Sequence, residues 1–269
     1  MYETYWNLST LPFQNVPDPD AYFPSANHEE AVRRIIYAIR SEKGGALFIG
    51  DIGTGKTIVS RTVVKKLAGN DIDIGIITNP MLDRNDLLRE MLYQLGISSQ
   101  PGSKLDLIHK INDKLLINFQ SGKKTVFMID EAHLITDTGI LEEIRLLLNF
   151  QLNDRFLLTL ILIGQPELKK IIHNIPPLEQ RLTIKFHLRS FNLEETAEYI
   201  IHRLKYAGAK NPIFTKDAVQ LIHQYTDGVP RRINQVCDFS LLVGYSEKSE
   251  RVDTTIIKKV IADEQQQTV

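Results

Sequence analysis

Two short stretches hold residue types whose chemistry fits together. The first, GDIGTGKT at positions 50–57, spells G-x-x-x-x-G-K-T in full. Gly50, Asp51, Ile52, Gly53, Thr54 and Gly55 would form a loop that wraps phosphate oxygens closely. Its backbone N–H groups would point inward at the start of a helix that runs on through Ile58. Lys56 suits contact with β- and γ-phosphates, and the Thr57 hydroxyl suits Mg²⁺. The second stretch, TVFMIDEAHLI at 125–135, is an apolar run ending in two carboxylates. After such a phosphate loop, a later parallel strand should end in an aspartate beside the metal, which places Asp130 there. Glu131, one residue on, is placed to polarise a water for in-line attack on a γ-phosphate. Read without the first stretch, the second carries little, because a strand ending in Asp-Glu occurs in many proteins. Together they point to Mg²⁺-dependent hydrolysis of a nucleoside triphosphate.

The letters D-E-A-H at 130–133 also spell the signature of a helicase class. That reading fails on the rest of the chain. A second sheet domain and an arginine-rich Q-R-x-G-R-x-G-R motif are both missing from the sequence. His133 is then read as an incidental residue at a helix start.

The elements that must position these residues follow from apolar periodicity. Strand-like runs at 45–50, 73–78, 125–130, 157–164 and 184–188 alternate with helical patterns at 28–43, 56–68, 83–96, 104–120, 139–151 and 166–172. Several of the strands are continuously apolar, which predicts a parallel sheet covered by helices on both faces. From about residue 190 the pattern is helical only, at 193–208, 215–228, 229–246 and 253–265, with Asn192, Thr215 and Asp253 as caps. The predicted organisation is an aromatic and proline-rich arm at 1–27, an α/β core at 28–190 and a small helical lid at 191–269. The arm's rings, Tyr5, Trp6, Phe13, Tyr22 and Phe23, need a surface to lie against. The final EQQQTV reads as a solvated tail.

Composition excludes several classes. With 32 basic and 33 acidic residues in 269, the formal charge is −1, so no molecule-wide basic field for nucleic acid exists. A local patch stays open, and the lysine pairs Lys65-Lys66, Lys123-Lys124, Lys169-Lys170 and Lys258-Lys259 are candidates for one, or simply solvated ends. The single cysteine, Cys237, rules out an internal disulfide and is expected to be buried in a helix. There is no apolar run of membrane-spanning length and no signal-like start, so a cytoplasmic placement is expected.

With these motifs in this order, the chain resembles the AAA+ ATPases, in which a P-loop core precedes a helical lid. Within them it is similar to the general secretion pathway ATPases called ExeA or GspA, through LPFQNVPDPDAYF, GDIGTGKT, MIDEAHLI, LLNFQ, LILIGQPEL, LEQRL and GVPRRINQVCD. Transposon-encoded ATPases share much of this pattern. The resemblance implies ATP and Mg²⁺ as cofactors and an oligomer as the working form. It implies that Asn79 pairs with the catalytic glutamate; an Asn-Pro turn is the alternative. It implies a polar sensor near the γ-phosphate, for which Gln165 is preferred over Thr159. Arg181 resembles the arginine that reaches a neighbouring subunit's phosphate, the alternative being a surface arginine. Arg231, with Arg232 as its neighbouring candidate, resembles the lid arginine that touches phosphate. Residues of the arm (Pro12, Phe13, Tyr22 and Phe23) would lie over the adenine or else cover a sheet edge. The process implied is secretion or cell-envelope assembly, with ATP-dependent DNA binding in transposition as the rival. Longer relatives continue into a membrane span and a periplasmic part. This sequence ends at Val269 without them, so attachment through a partner, or a longer parent protein, is expected.

Overall fold

The computed structural model describes residues 1–69, 71–98 and 102–267. Two compact units emerge, one of residues 27–52 and 56–188, the other of residues 1–26, 53–55 and 189 onward. The last two residues of the expected tail lie outside the described residues, and the residues before them continue a helix.

The first unit is built around a five-stranded sheet. After α1 (Ala26–Arg40) come β1 (Gly45–Gly50), α2 (Lys56–Leu67), β2 (Ile72–Ile77), α3 (Arg84–Gln94), α4 (Lys104–Gln120) and β3 (Lys124–Ile129). A 3-10 turn at Ala132–Leu134 leads to α5 (Thr138–Leu147), β4 (Leu158–Gly164), α6 (Glu167–His173), α7 (Pro176–Arg181) and β5 (Leu182–Leu188). The strand order is β2-β3-β4-β1-β5, and every pairing is parallel. Every residue of β1 and β4 is buried, as expected for central strands covered on both faces. The edge strand β5 alternates instead, with Thr183 exposed and its two ends buried. Helix starts are set by side-chain caps: Asp83 accepts from the Asp86 N–H, and Ser103 and Asp106 form a reciprocal capping box.

Two elements differ from the sequence pattern. The helix expected over 139–151 ends at Leu147. Beyond it, Gln151 bridges Phe156 in antiparallel fashion and the Leu157 N–H donates to the Phe150 carbonyl, so a tight excursion replaces the last turn of helix. The other is α7, a helix for which the sequence pattern gave no expectation. Proline is favoured at the first helical position, where its missing N–H would have no partner anyway.

The second unit holds the helices α8 (Leu193–Tyr206), α9 (Lys216–Thr226), α10 (Pro230–Ser246) and α11 (Thr254–Gln267). Asn192, Thr215 and Asp253 each accept from N–H groups of the first turn they precede. At the α9–α10 junction a Cβ on Gly228 would stand 1.9 Å from the Phe191 carbonyl oxygen, so only glycine fits. Cys237 is buried among Ile222, Ile233, Val236 and Leu241, and burial pushes its thiol up from the usual range.

The N-terminal arm is part of this helical core. Tyr2, Trp6 and Phe13 are buried in it, and Phe13 meets Phe214 edge-on. The Trp6 indole N–H donates to the Leu241 carbonyl, and Phe23 packs edge-on against Phe191 and Tyr199. Arg203, 9% exposed, holds the arm's backbone by donating to the carbonyls of Pro12 at 2.6 Å and Gln14 at 3.0 Å. The rings thus find their surface on helices.

Candidate nucleotide-binding site

Parallel pairing puts all the strand C-termini on one edge, the edge where open α/β sheets bind ligands. Register aligns Ile49 with Gly164 and Ile129 with Leu162. The loop after β1, the acidic pair after β3 and Gln165 after β4 therefore share that edge. Thr159 pairs with Val126, four residues before Asp130, so it lies about 13 Å down the sheet at 3.3 Å per residue. Of the two sensor candidates, register brings only Gln165 to the strand ends.

Between β1 and α2 the loop turns through Gly53 at φ 79° and Gly55 at φ 101°, a left-handed backbone that side chains disfavour. Thr54 is buried, and Ile52 at the tip is 64% exposed. Lys56, 7% exposed, donates to the carbonyls of Gly50 at 2.8 Å and Asp51 at 3.0 Å. Burial pushes its amine below the ordinary lysine range, against the upward pull of Glu131, Asp130, Asp51 and Glu167. A desolvated ammonium ringed by carboxylates and aimed along a glycine loop is suited to bind phosphate.

Asp130 is 7% exposed and has both oxygens engaged. Oδ2 accepts from the Thr57 hydroxyl at 3.2 Å, and Oδ1 accepts from the Glu131 N–H at 2.9 Å. No group of three or more His, Cys, Asp or Glu able to hold a metal occurs among the described residues. Mg²⁺ does not require one, because it takes one or two protein oxygens and fills its octahedron with phosphate oxygens and water. The Thr57 and Asp130 pair fits that demand.

Glu131 sits at φ 51°, ψ 31°, a left-handed conformation that costs of order 1 kcal/mol or more in a residue other than glycine. Such strain clusters at functional sites. Its Oε2 atom is buried without a hydrogen-bond partner, and the His133 Nδ1 lies 3.4 Å away. The same Nδ1 accepts from the Gln165 N–H at 3.4 Å. His133 is therefore the residue that sequence reasoning passed over. The only available signal was its spacing, two residues past the glutamate, which an extended or helical continuation would not have turned back.

Of the remaining expected residues, Asn79 shares this edge, because it follows β2 and Ile77 pairs with Ile129. Asn79 is exposed, and its Oδ1 accepts from the Met81 N–H at 3.2 Å, the geometry of an Asn-Pro turn. Arg181 ends α7 and donates from Nη1 to the Leu148 carbonyl at 3.2 Å. In the helical unit, Arg232 pairs with Asp227 at 3.5 Å and lies over the Tyr225 ring. The exposed side chain of Arg231 has no partner among the described residues, while its backbone N–H donates to the Gly53 carbonyl at 3.2 Å.

Comparison with known proteins agrees with this architecture. Residues 39–172 match the family described as AAA domain. General secretion pathway protein A of Aeromonas hydrophila is 37% identical over 257 residues, 94% of this chain and 46% of that protein. An uncharacterised HTH-type transcriptional regulator of Methanocaldococcus jannaschii is 26% identical over 144 residues, covering 52% of this chain and 35% of its own. This chain therefore spans less than half the length of either relative. Among solved structures, the Aeropyrum pernix ORC1 protein in complex with DNA superposes with a TM-score of 0.69 at 16% identity, over 94% of this chain and 68% of that one. A Thermotoga maritima RuvB mutant gives 0.61 at 17% identity, over 91% and 72%. At such identities the structures speak for the fold alone. No helix among the described residues is long and apolar enough to cross a membrane.

Proposed function

We propose that this chain, which matches the AAA domain family over residues 39–172 and is similar to general secretion pathway protein A, is an AAA+ ATPase that hydrolyses ATP between subunits of an assembly serving secretion or envelope construction. The observation that carries the reading is the convergence at one sheet edge of a glycine phosphate loop, a buried lysine, a Thr57–Asp130 pair and a second carboxylate left without a hydrogen bond at Oε2. Bound with ATP, Mg²⁺ would neutralise charge across the β- and γ-phosphates, and Thr57 and Asp130 are the residues that would hold it. The loop amides from Gly50 to Thr57 orient the phosphates, and Lys56 adds a fixed positive charge beside them. Glu131 orients a water and takes its proton as the water attacks in line. Gln165, level with the loop, reports on the γ-phosphate from the end of β4.

Two arginines complete the proposal. Arg231, whose side chain is uncommitted, is preferred over Arg232 as the lid residue that meets phosphate. Arg181 serves a neighbouring subunit. Support for action across subunits comes from its place in the chain. It immediately precedes Leu182, which pairs with Gly45 at the N-terminal end of β1, whereas the phosphate loop begins at the other end, at Gly50. Asn79 follows β2 on the same edge, and its Oδ1 accepts from the Met81 N–H as in an Asn-Pro turn.

The secretion role rests on the 37% identity to general secretion pathway protein A over most of this chain. The test is ATP turnover and nucleotide binding by wild type, Lys56→Ala and Glu131→Gln. The expected result is Mg²⁺-dependent turnover by wild type, loss of binding in Lys56→Ala, and retained binding with turnover abolished in Glu131→Gln. Normal hydrolysis by Glu131→Gln would remove Glu131 as the base. Salt-sensitive, ATP-dependent filaments on duplex DNA would move the role to nucleic acid.

A further inference from the structure

We infer that His133 is a positioning residue that ties the pose of Glu131 to the backbone at Gln165; this rests on the reading of Glu131 as the base. One imidazole nitrogen, Nδ1, lies 3.4 Å from Glu131 Oε2 and accepts the Gln165 N–H at the same distance. A ring nitrogen that accepts from an N–H carries no proton, so the imidazole proton sits on Nε2. The Nδ1 lone pair therefore offers the carboxylate no hydrogen. Glu131 Oε2 is left buried without a hydrogen bond beside that ring. That oxygen is left free to accept from a water.

The ring is held in place from several sides. Its side chain is 11% exposed and belongs to the 3-10 turn, which the Leu134 N–H closes onto the Glu131 carbonyl at 2.9 Å. That closure also holds Glu131 in its left-handed conformation. Gly164 makes the approach from β4 possible, because a Cβ there would stand 3.2 Å from the His133 backbone nitrogen and 2.9 Å from Leu168 Cδ2. Any displacement of Gln165 is thus passed to the base through one ring, across 32 residues of sequence.

The experiment compares His133→Asn, His133→Gln and His133→Ala with wild type and Glu131→Gln, measuring kcat, ATP affinity and thermal midpoint together. The asparagine amide oxygen sits near the Nδ1 position and can still accept from Gln165. The glutamine amide reaches only toward Nε2. The expected result is near-wild-type kcat for His133→Asn. For His133→Gln and His133→Ala, kcat should fall about 10- to 100-fold, the scale of an ångström-sized misplacement, with ATP affinity and thermal midpoint unchanged. Equal kcat for the asparagine and glutamine variants, or a loss that tracks thermal midpoint or ATP affinity, overturns the role of His133. If Glu131→Gln is inactive in the same assay, the ATPase reading survives that outcome. If Glu131→Gln hydrolyses ATP normally, the reading of the base falls and this inference with it.

Discussion

Substituting Arg181 by alanine tests the assembly as well as the chemistry. Arg181 precedes the strand whose first residue pairs with Gly45, five residues before Gly50 on β1. At 3.3 Å per residue the separation along the sheet is roughly 16 Å, farther than an arginine side chain extends. The chain's own phosphate loop is therefore out of reach, so a phosphate that this guanidinium meets belongs to a neighbour. Arginines that stabilise transferring phosphate contribute 10³–10⁵ in kcat, so Arg181→Ala should lower turnover by about three orders of magnitude or more. Folding should suffer little, because the visible loss is one hydrogen bond to Leu148, about 1 kcal/mol. ATP affinity should be kept, since Lys56 and the loop are untouched. The decisive assay mixes Arg181→Ala with Glu131→Gln, each nearly inactive alone. In a head-to-tail assembly formed at random from equal amounts, about one interface in four joins an intact base to an intact arginine. Turnover should therefore recover to about a quarter of the wild-type rate per site. No recovery from variants that bind ATP and co-assemble would refute action across subunits, as would full activity from a dilute monomer.

Two further predictions concern charge and the arm. Burial depresses the Lys56 amine, whose folded value therefore lies below its unfolded one. The folded site gives up its proton before an ordinary lysine would, and bound phosphate favours the protonated form. ATP affinity, followed by titration calorimetry, should decline with rising pH below the ordinary lysine value near 10.4, with proton uptake on binding in that window. A flat affinity up to that value would contradict the burial argument. Arg203→Ala should destabilise the helical unit by about 3 kcal/mol, because two arm carbonyls lose a charged donor at a buried site. Urea unfolding and limited proteolysis within residues 1–25 would measure it, and a loss under about 1 kcal/mol would mean that the buried rings alone hold the arm.

Much of the fold was legible because its signals are local. The strands β1, β3 and β4 are largely apolar runs, and caps such as Asn192 and Thr215 are read from single residues. Strand order was not legible, because it depends on pairings such as Phe48 with Ile163 that no local pattern encodes. The same limit hid the arm's destination. Trp6 meets the Leu241 carbonyl 235 residues away, and an aromatic-rich segment announces only that it needs a surface. In the candidate site, the loop and the acidic pair were legible because their spacing follows from phosphate geometry. The sequence could not show that register sets Thr159 down the sheet from Gln165, or that Arg232 already pairs with Asp227. Local competition also misled the reading where the Phe150–Leu157 contact ends a helix early.

The adjacent carboxylates show how one dipeptide can serve two roles. Asp130 continues the extended line of β3: its own N–H donates to the Ile77 carbonyl at 2.8 Å. Both its oxygens are then engaged by Thr57 and by the Glu131 N–H, which immobilises it at the strand end. A carboxylate so fixed is suited to a metal, because it cannot move when charge develops. Glu131 leaves that line through a left-handed residue, so its side chain departs from the direction the strand would have given it. The cost of that conformation, of order 1 kcal/mol or more, is offset by the 3-10 turn that follows and the imidazole it carries. Replacing Glu131 by glycine would relieve the strain and remove the base, whereas aspartate would keep a carboxylate but shorten its reach. Glu131→Asp should therefore retain the fold and ATP affinity while losing turnover about 10-fold or more through misplacement alone. A fully active aspartate variant would mean that the water, not the carboxylate, is the group the turn positions.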